Sequence, residues 1–197
     1  MNKILVTYAS RAGSTFEVAA CVAEVLRASG ATVDVKPITA VHEVKGYDAV
    51  IVGSAIRMGR WLPEAEAFVK ANCETLSHIP TAYFLVSGLL RNDTPEMRRK
   101  VQAYLDPVRK ILEPTSIGLF AGKMDYSKMD WHDRSIAEAV SLSEGDWRNW
   151  EAIRGWARDL QPRLITRDGP QYGSPPSQYL GVDDLAVDDI SVGTYLR

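Results

Sequence analysis

Cysteine is scarce in this chain: two residues in 197, Cys21 and Cys73. Two thiols in apolar, helix-patterned segments build neither a disulfide framework nor a zinc site, and each reads as a small hydrophobe of the core. No apolar run approaches the ~18 residues that a membrane span needs. Met1-Asn2-Lys3 leads straight into a short strand-like segment, without the apolar region and cleavage site of a secretory leader. Cytoplasmic residence is the expectation, with peripheral contact at a membrane left open. An excess of one charge is missing too, since 23 basic and 25 acidic side chains leave a formal charge of -2. That balance argues against a nucleic-acid binder, which concentrates basic residues on one face. It also argues against a strongly acidic electron carrier. Neither the Gly-Lys-Ser/Thr ending of a triphosphate loop nor the G-x-G-x-x-G dinucleotide fingerprint is present.

What is present is a regular alternation. Apolar residues make up 46 % of the chain, enough for the core of one domain. Lys3 to Tyr8 is β-branched and aromatic. From Thr15 to Ser29, Val18, Val22, Val25 and Leu26 form one helical stripe, and Gly30 supplies the stop. Thr32 to Lys36 reads as a second strand. Ala49-Val50-Ile51-Val52 reads as a third, buried on both faces because no polar residue alternates. Pro63 opens a helix that runs to about Ser77. Thr81 to Val86 is a fourth strand, Pro95 to Leu112 a helix, and Ser116 to Ala121 a fifth strand. A last helix over Asp146 to Leu160 carries Trp147, Trp150 and Trp156 as a packing stripe. Five strands alternating with four helices predict an α/β protein of three layers, a five-stranded parallel sheet with helices on both faces. Ligands in such sheets bind beyond the carboxyl ends of the strands, where strand order reverses. Beyond Thr166 the composition turns to Gly, Pro and acidic pairs. Residues 1–165 are therefore read as the domain and 166–197 as a loosely ordered tail, whose Leu185, Val187, Ile190 and Val192 could instead dock.

The loop after the first strand, Ser10-Arg11-Ala12-Gly13-Ser14-Thr15, is rich in hydroxyls and precedes a helix. Free N–H groups and the positive end of the helix dipole make such a place an anion site. Ser10, Ser14 and Thr15 can donate to phosphate oxygens, and Gly13 lets the backbone curl close. One terminal phosphate suits this loop better than a pyrophosphate. The same residue types also serve as ordinary helix caps. The loop after the third strand runs from Gly53 to Trp61, with two arginines, Met58 and an exposed-looking Trp61, and would suit a flat ring.

These two loops and the five-strand pattern resemble the flavodoxins, and within them the menaquinone-dependent protoporphyrinogen oxidases of bacterial haem synthesis. The resemblance covers about residues 1 to 162. It is carried further by Ala121-Gly122 with Trp131, Asp133 and Arg134 beyond, and by Asp146-Trp147. It implies a flavodoxin-like fold and FMN as cofactor. Ser10, Arg11, Ala12, Gly13, Ser14 and Thr15 would hold the phosphate. Ala55, Ile56, Arg57, Met58 and Gly59 would line the isoalloxazine, and Ser87, Gly88, Leu89, Leu90 and Arg91 would complete the ring site. Three departures stand out. Ala12 replaces a common hydroxyl, Met58 replaces a common aromatic, and Ser135 to Gly145 is short and carries Glu138 and Glu144 where the oxidases have a longer basic and apolar insertion.

Arg57 and Arg60 could stabilise a reduced, anionic ring, pair with the carboxylates of a porphyrinogen substrate, or be solvated surface residues. Trp61, Tyr126 and Trp131 are candidate ring or substrate contacts. His132 is either a proton shuttle or a polar loop side chain. The spacing of Asp125, His132 and Asp133 matches no metal-ligand pattern. Two function classes follow: an FMN-dependent oxidoreductase that dehydrogenates a substrate and hands electrons to a quinone, or a flavodoxin-type carrier served by a reductase. A fold that has lost its cofactor and serves as an interaction module is a third.

Overall fold

Residues 2–128 and 144–164 are described by the computed structural model. Its strands are β1 (Lys3–Ala9), β2 (Thr32–Pro37), β3 (Ala49–Arg57), β5 (Thr81–Ser87) and β6 (Ser116–Ala121), joined in the order β2-β1-β3-β5-β6. All four ladders of this sheet are parallel. A short β4 (Arg60–Trp61) folds back antiparallel on the end of β3, and β7 (Lys123–Met124) pairs with β8 (Gly145–Asp146) as a separate ribbon. Residues 49–54 of β3 and every residue of β5 are buried, the pattern of a sheet covered on both faces. Alternate side chains enter two cores. Ile51, Ala82 and Phe84 face α1 (Ser14–Ala28) and α6 (Trp150–Leu160). Val50, Val52, Tyr83 and Leu85 face α2 (Pro63–Ala71), α3 (Cys73–Ser77), α4 (Pro95–Ala103) and α5 (Asp106–Ile111). The three-layer α/β fold is the expected one. Its chain runs outward from β1 to β2, then returns to place β3 on the other side of β1, so strand order reverses between β1 and β3. That reversal marks the crevice.

Several boundaries differ from expectation, each for a local reason. α1 ends as predicted: the Gly30 N–H donates to Arg27 O at 2.9 Å and the Ala31 N–H to Leu26 O at 3.2 Å, with Gly30 at φ 91°. The helix expected over 63–77 breaks at Asn72, whose side-chain amide donates to Phe68 O at 2.8 Å. The helix expected over 95–112 breaks before Pro107, which has no N–H to offer the preceding turn. The last helix begins at Trp150 because Asn149 Oδ1 accepts the Ala152 N–H at 3.0 Å. Asp146 lies in β8 instead, and the Trp147 N–H donates to Gly122 O. Trp150 and Trp156 pack on the core as expected, while Trp147 lies outside the helix. Cys21 is buried; Cys73 is only half-buried, with Sγ 3.5 Å from Ile111 O. The tail 166–197 lies outside the described residues, as do Trp131, His132, Asp133, Arg134 and Glu138.

Candidate functional site

Sheet register gathers the candidate loops. Ala9 lies opposite Ser54, Ala55 opposite Val86, and Ser87 opposite Ala121. The connections that follow β1, β3, β5 and β6 therefore leave one edge of the sheet.

The first of them turns sharply at Gly13, in the left-handed region at φ 86°, where a side chain costs roughly 1–2 kcal/mol. Among the described residues, a Cβ added there would meet nothing within 4 Å, so that side of the turn is open. The Gly13 N–H donates to Ser10 Oγ at 3.0 Å, which leaves the Ser10 hydroxyl hydrogen available to an acceptor. Gly13 is also the N-cap of α1 and, having no side chain, caps nothing. α4 and α6 are capped in the ordinary way by Thr94 and Asn149. The helix-cap reading of the loop thus fails at α1, whose first-turn N–H groups lack an intrahelical carbonyl. Thr15 is fully buried and its Oγ1 has no partner among the described residues. A buried polar group left so costs about 1–3 kcal/mol. A buried hydroxyl without a partner among the described residues, a helix start without a side-chain cap and an open glycine turn are features of an anion site. Arg11 is tied to α2 by Glu64 at 3.1 Å.

After β3 the chain makes a two-residue hairpin. Arg57 pairs with Arg60, and the turn residues Met58 and Gly59 have φ of 51° and 72°, the signs a type I′ turn requires. Met58 is 82 % exposed. An apolar side chain held in the left-handed region and in water is strain at a candidate site. Ser54 anchors the hairpin from below, accepting the Leu62 N–H at 3.0 Å and donating to Ala55 O at 2.9 Å. Ala55 and Ile56 are half-buried between anchor and tip, and Arg57 and Arg60 are exposed.

Three expectations are corrected here. Trp61 is not exposed: at 2 % exposure it packs edge-on against Tyr83, ring centroids 5.1 Å apart, in the α2–α5 core. Gly53 belongs to the strand, where an added Cβ would lie 1.9 Å from the Phe84 ring. The Leu90 side chain points into the core, so of the 87–91 segment only Gly88, Leu89 and Arg91 are exposed. Ser87 Oγ accepts the Leu89 N–H at 3.3 Å and shapes that turn.

The large apolar side chains exposed among the described residues are Phe16, Met58 and Leu89. They follow β1, β3 and β5, and so ring one edge of the sheet. Sequence reading missed Phe16, which lies off the buried stripe of α1; its signal was an aromatic directly after the phosphate-like loop. Its ring stands 5.4 Å from that of Tyr8.

Beyond β6 the segment from Gly122 is held by charge. Ser127, and after it Lys123, stabilises the Asp125 carboxylate and lowers its pKa to about 2. The Tyr126 N–H donates to Glu144 Oε1 at 2.7 Å, and Tyr126 is half-buried. Arg148, its side chain only 4 % exposed, donates from Nη1 to Glu17 at 2.7 Å. It donates from Nη2 and Nε to Asp146 at 2.6 and 2.8 Å, and lies 4.5 Å from the Trp150 ring centre. Nothing in the sequence pattern pointed to Arg148. Among the described residues no three His, Cys, Asp or Glu side chains converge on a metal-sized site. No helix among them is long and apolar enough to cross a membrane.

Residues 5–149 match the Flavodoxin domain family. Protoporphyrinogen IX dehydrogenase (quinone) of Escherichia coli (strain K12) is 26 % identical over 172 residues, which cover 80 % of this chain and 94 % of that protein. An NAD(P)H dehydrogenase (quinone) of Cupriavidus metallidurans is 35 % identical over 91 residues, 35 % of this chain and 46 % of that protein. Among solved structures, oxidised flavodoxin 1 from Bacillus cereus superposes with a TM-score of 0.53 at 14 % identity, covering 83 % of this chain and all of that one. The last of these is a likeness of fold.

Proposed function

This chain belongs to the Flavodoxin domain family, and from that premise we propose that it is an FMN-dependent oxidoreductase that dehydrogenates a porphyrinogen-like substrate and delivers the electrons to a quinone. The single observation that carries the cofactor reading is the buried Thr15 hydroxyl, without a partner among the described residues, at the start of α1, which has no side-chain cap. Hydroxyls of Ser10, Ser14 and Thr15, with the first N–H groups of α1, would donate to the FMN phosphate. Ala55, Ile56, Met58 and Leu89, joined by Phe16, would cover the apolar ring and keep water from it. Bound there, the flavin would supply the electron transfer, while the protein supplies orientation and electrostatics. Exposed Arg57, Arg60 and Arg91 stand at the same edge and give it positive charge, suited to a reduced ring or to substrate carboxylates.

The substrate and the quinone rest on the resemblance to the E. coli dehydrogenase, so named. A carrier without a substrate of its own is the second reading, favoured by the fold shared with the B. cereus flavodoxin. The arginines at the candidate edge weigh against it, since carriers of that kind commonly dock through an acidic face. The deciding experiment mixes the flavin-loaded protein, protoporphyrinogen and a quinone without oxygen, and follows porphyrin fluorescence. The proposal expects porphyrin to appear in proportion to protein. No acceleration, with fast reduction by a flavodoxin reductase, would establish the carrier.

A further inference from the structure

Glu17 lies in the first turn of α1, four residues past Gly13, hence within about 6 Å along the axis of the helix mouth. A carboxylate there complements the helix dipole on its own account, yet it opposes a second anion arriving at the same mouth. In this chain it does not stand alone. The buried Arg148 guanidinium takes Glu17 on one nitrogen and grips Asp146 of β8 with two others, under the Trp150 ring. Lys123 and Asp125 complete the charge cluster on the β7 side, and the Arg11–Glu64 pair is tied off on the α2 side.

We propose that Arg148 is a positioning residue for the cofactor phosphate: it neutralises Glu17 and fixes its carboxylate against β8, so that the mouth of α1 accepts a dianion. The inference rests on the phosphate reading above. In the cluster, Arg148 and Lys123 face Glu17, Asp125 and Asp146, with Glu144 beside them on the same segment; removing Arg148 takes away the cation that Glu17 and Asp146 share. Because the fork spans α1, β8 and the start of α6, it also makes the phosphate loop depend on the segment beyond β6, 131 positions away in sequence.

The test compares FMN with riboflavin, which has the same ring and no phosphate. Flavin-fluorescence quenching gives the affinity of the flavin-free, full-length chain for each at low salt. Arg148→Met is expected to weaken FMN roughly tenfold while leaving riboflavin unchanged. Glu17→Gln keeps an acceptor for Arg148 and is expected to tighten FMN several-fold, again without effect on riboflavin. Glu17→Gln combined with Arg148→Met is expected to return the FMN preference toward that of the parent. Equal changes for both flavins, or an FMN preference that neither variant moves, would overturn the proposal and leave Arg148 a plain structural tie. If Arg148→Met does not fold, an unmoved preference in Glu17→Gln alone overturns it. A parent chain that binds neither flavin would instead defeat the phosphate reading beneath it.

Discussion

Ala9 pairs with Ser54 across the β1–β3 ladder, and the residue after each begins a candidate ligand loop. Neither loop can shift along the sheet edge without breaking that register. Ser54 carries the greater share of this constraint, because its hydroxyl also holds the hairpin through the Leu62 N–H and Ala55 O. Ser54→Ala strands a buried N–H, which costs about 1–3 kcal/mol. A lower Tm and weaker flavin binding are expected together; a melt identical to the parent's would show that the hairpin is held elsewhere.

Thr15→Val removes the orphaned hydroxyl at nearly constant volume. In the flavin-free protein no hydrogen bond to a described residue is lost, because Oγ1 has no partner among them, so thermal stability should hold or rise. With FMN the outcome reverses. A hydrogen bond to a charged group contributes about 1.5–3 kcal/mol, so affinity should fall by roughly ten- to a hundredfold. Paired melting and titration curves check both halves, and unchanged FMN affinity would remove Thr15 from the site.

Met58 adopts a left-handed conformation at φ 51° while exposed to water. Met58→Asn keeps the turn with a residue that tolerates it, and should raise stability by up to about 1 kcal/mol. Flavin retention should fall in the same variant, because Met58 belongs to the proposed apolar cover over the ring. Greater stability with full retention would mean that Met58 has no part in binding.

Hydrogen bonds from Arg148 hold the Asp146 carboxyl below the usual carboxylate range. A folded-state pKa so lowered adds stability that is complete above the unfolded value of ~3.9 and is lost as pH falls through the folded one. The Tm difference between parent and Arg148→Met should thus stay constant from about pH 5 to 8, then shrink below about pH 4. A gap that widened in acid would contradict this account of the clamp.

Most of the architecture was legible because parallel strands buried on both faces leave unbroken apolar runs, as Val50 to Val52 and Tyr83 to Val86 do. Element ends were less so. Asn72 and Asn149 act through their side-chain amides, and the same residue type ends one helix and starts another. The first loop announced itself by its crowded hydroxyls. Trp61 misled because its burial depends on Tyr83, on a neighbouring strand, and not on its own polar surroundings. The Glu17–Arg148 pair was invisible for the opposite reason: each residue is ordinary where it stands, and only the fold brings α1 and β8 together.

The visible absorption spectrum of the full-length chain after reconstitution with FMN and removal of excess tests the central claim most directly. The account predicts flavin bands that persist through desalting, FMN released on denaturation, and bands clearly weakened in Gly13→Val, whose side chain strains the turn at φ 86°. A colourless parent protein, or a Gly13→Val variant that stays as yellow as the parent, would contradict it.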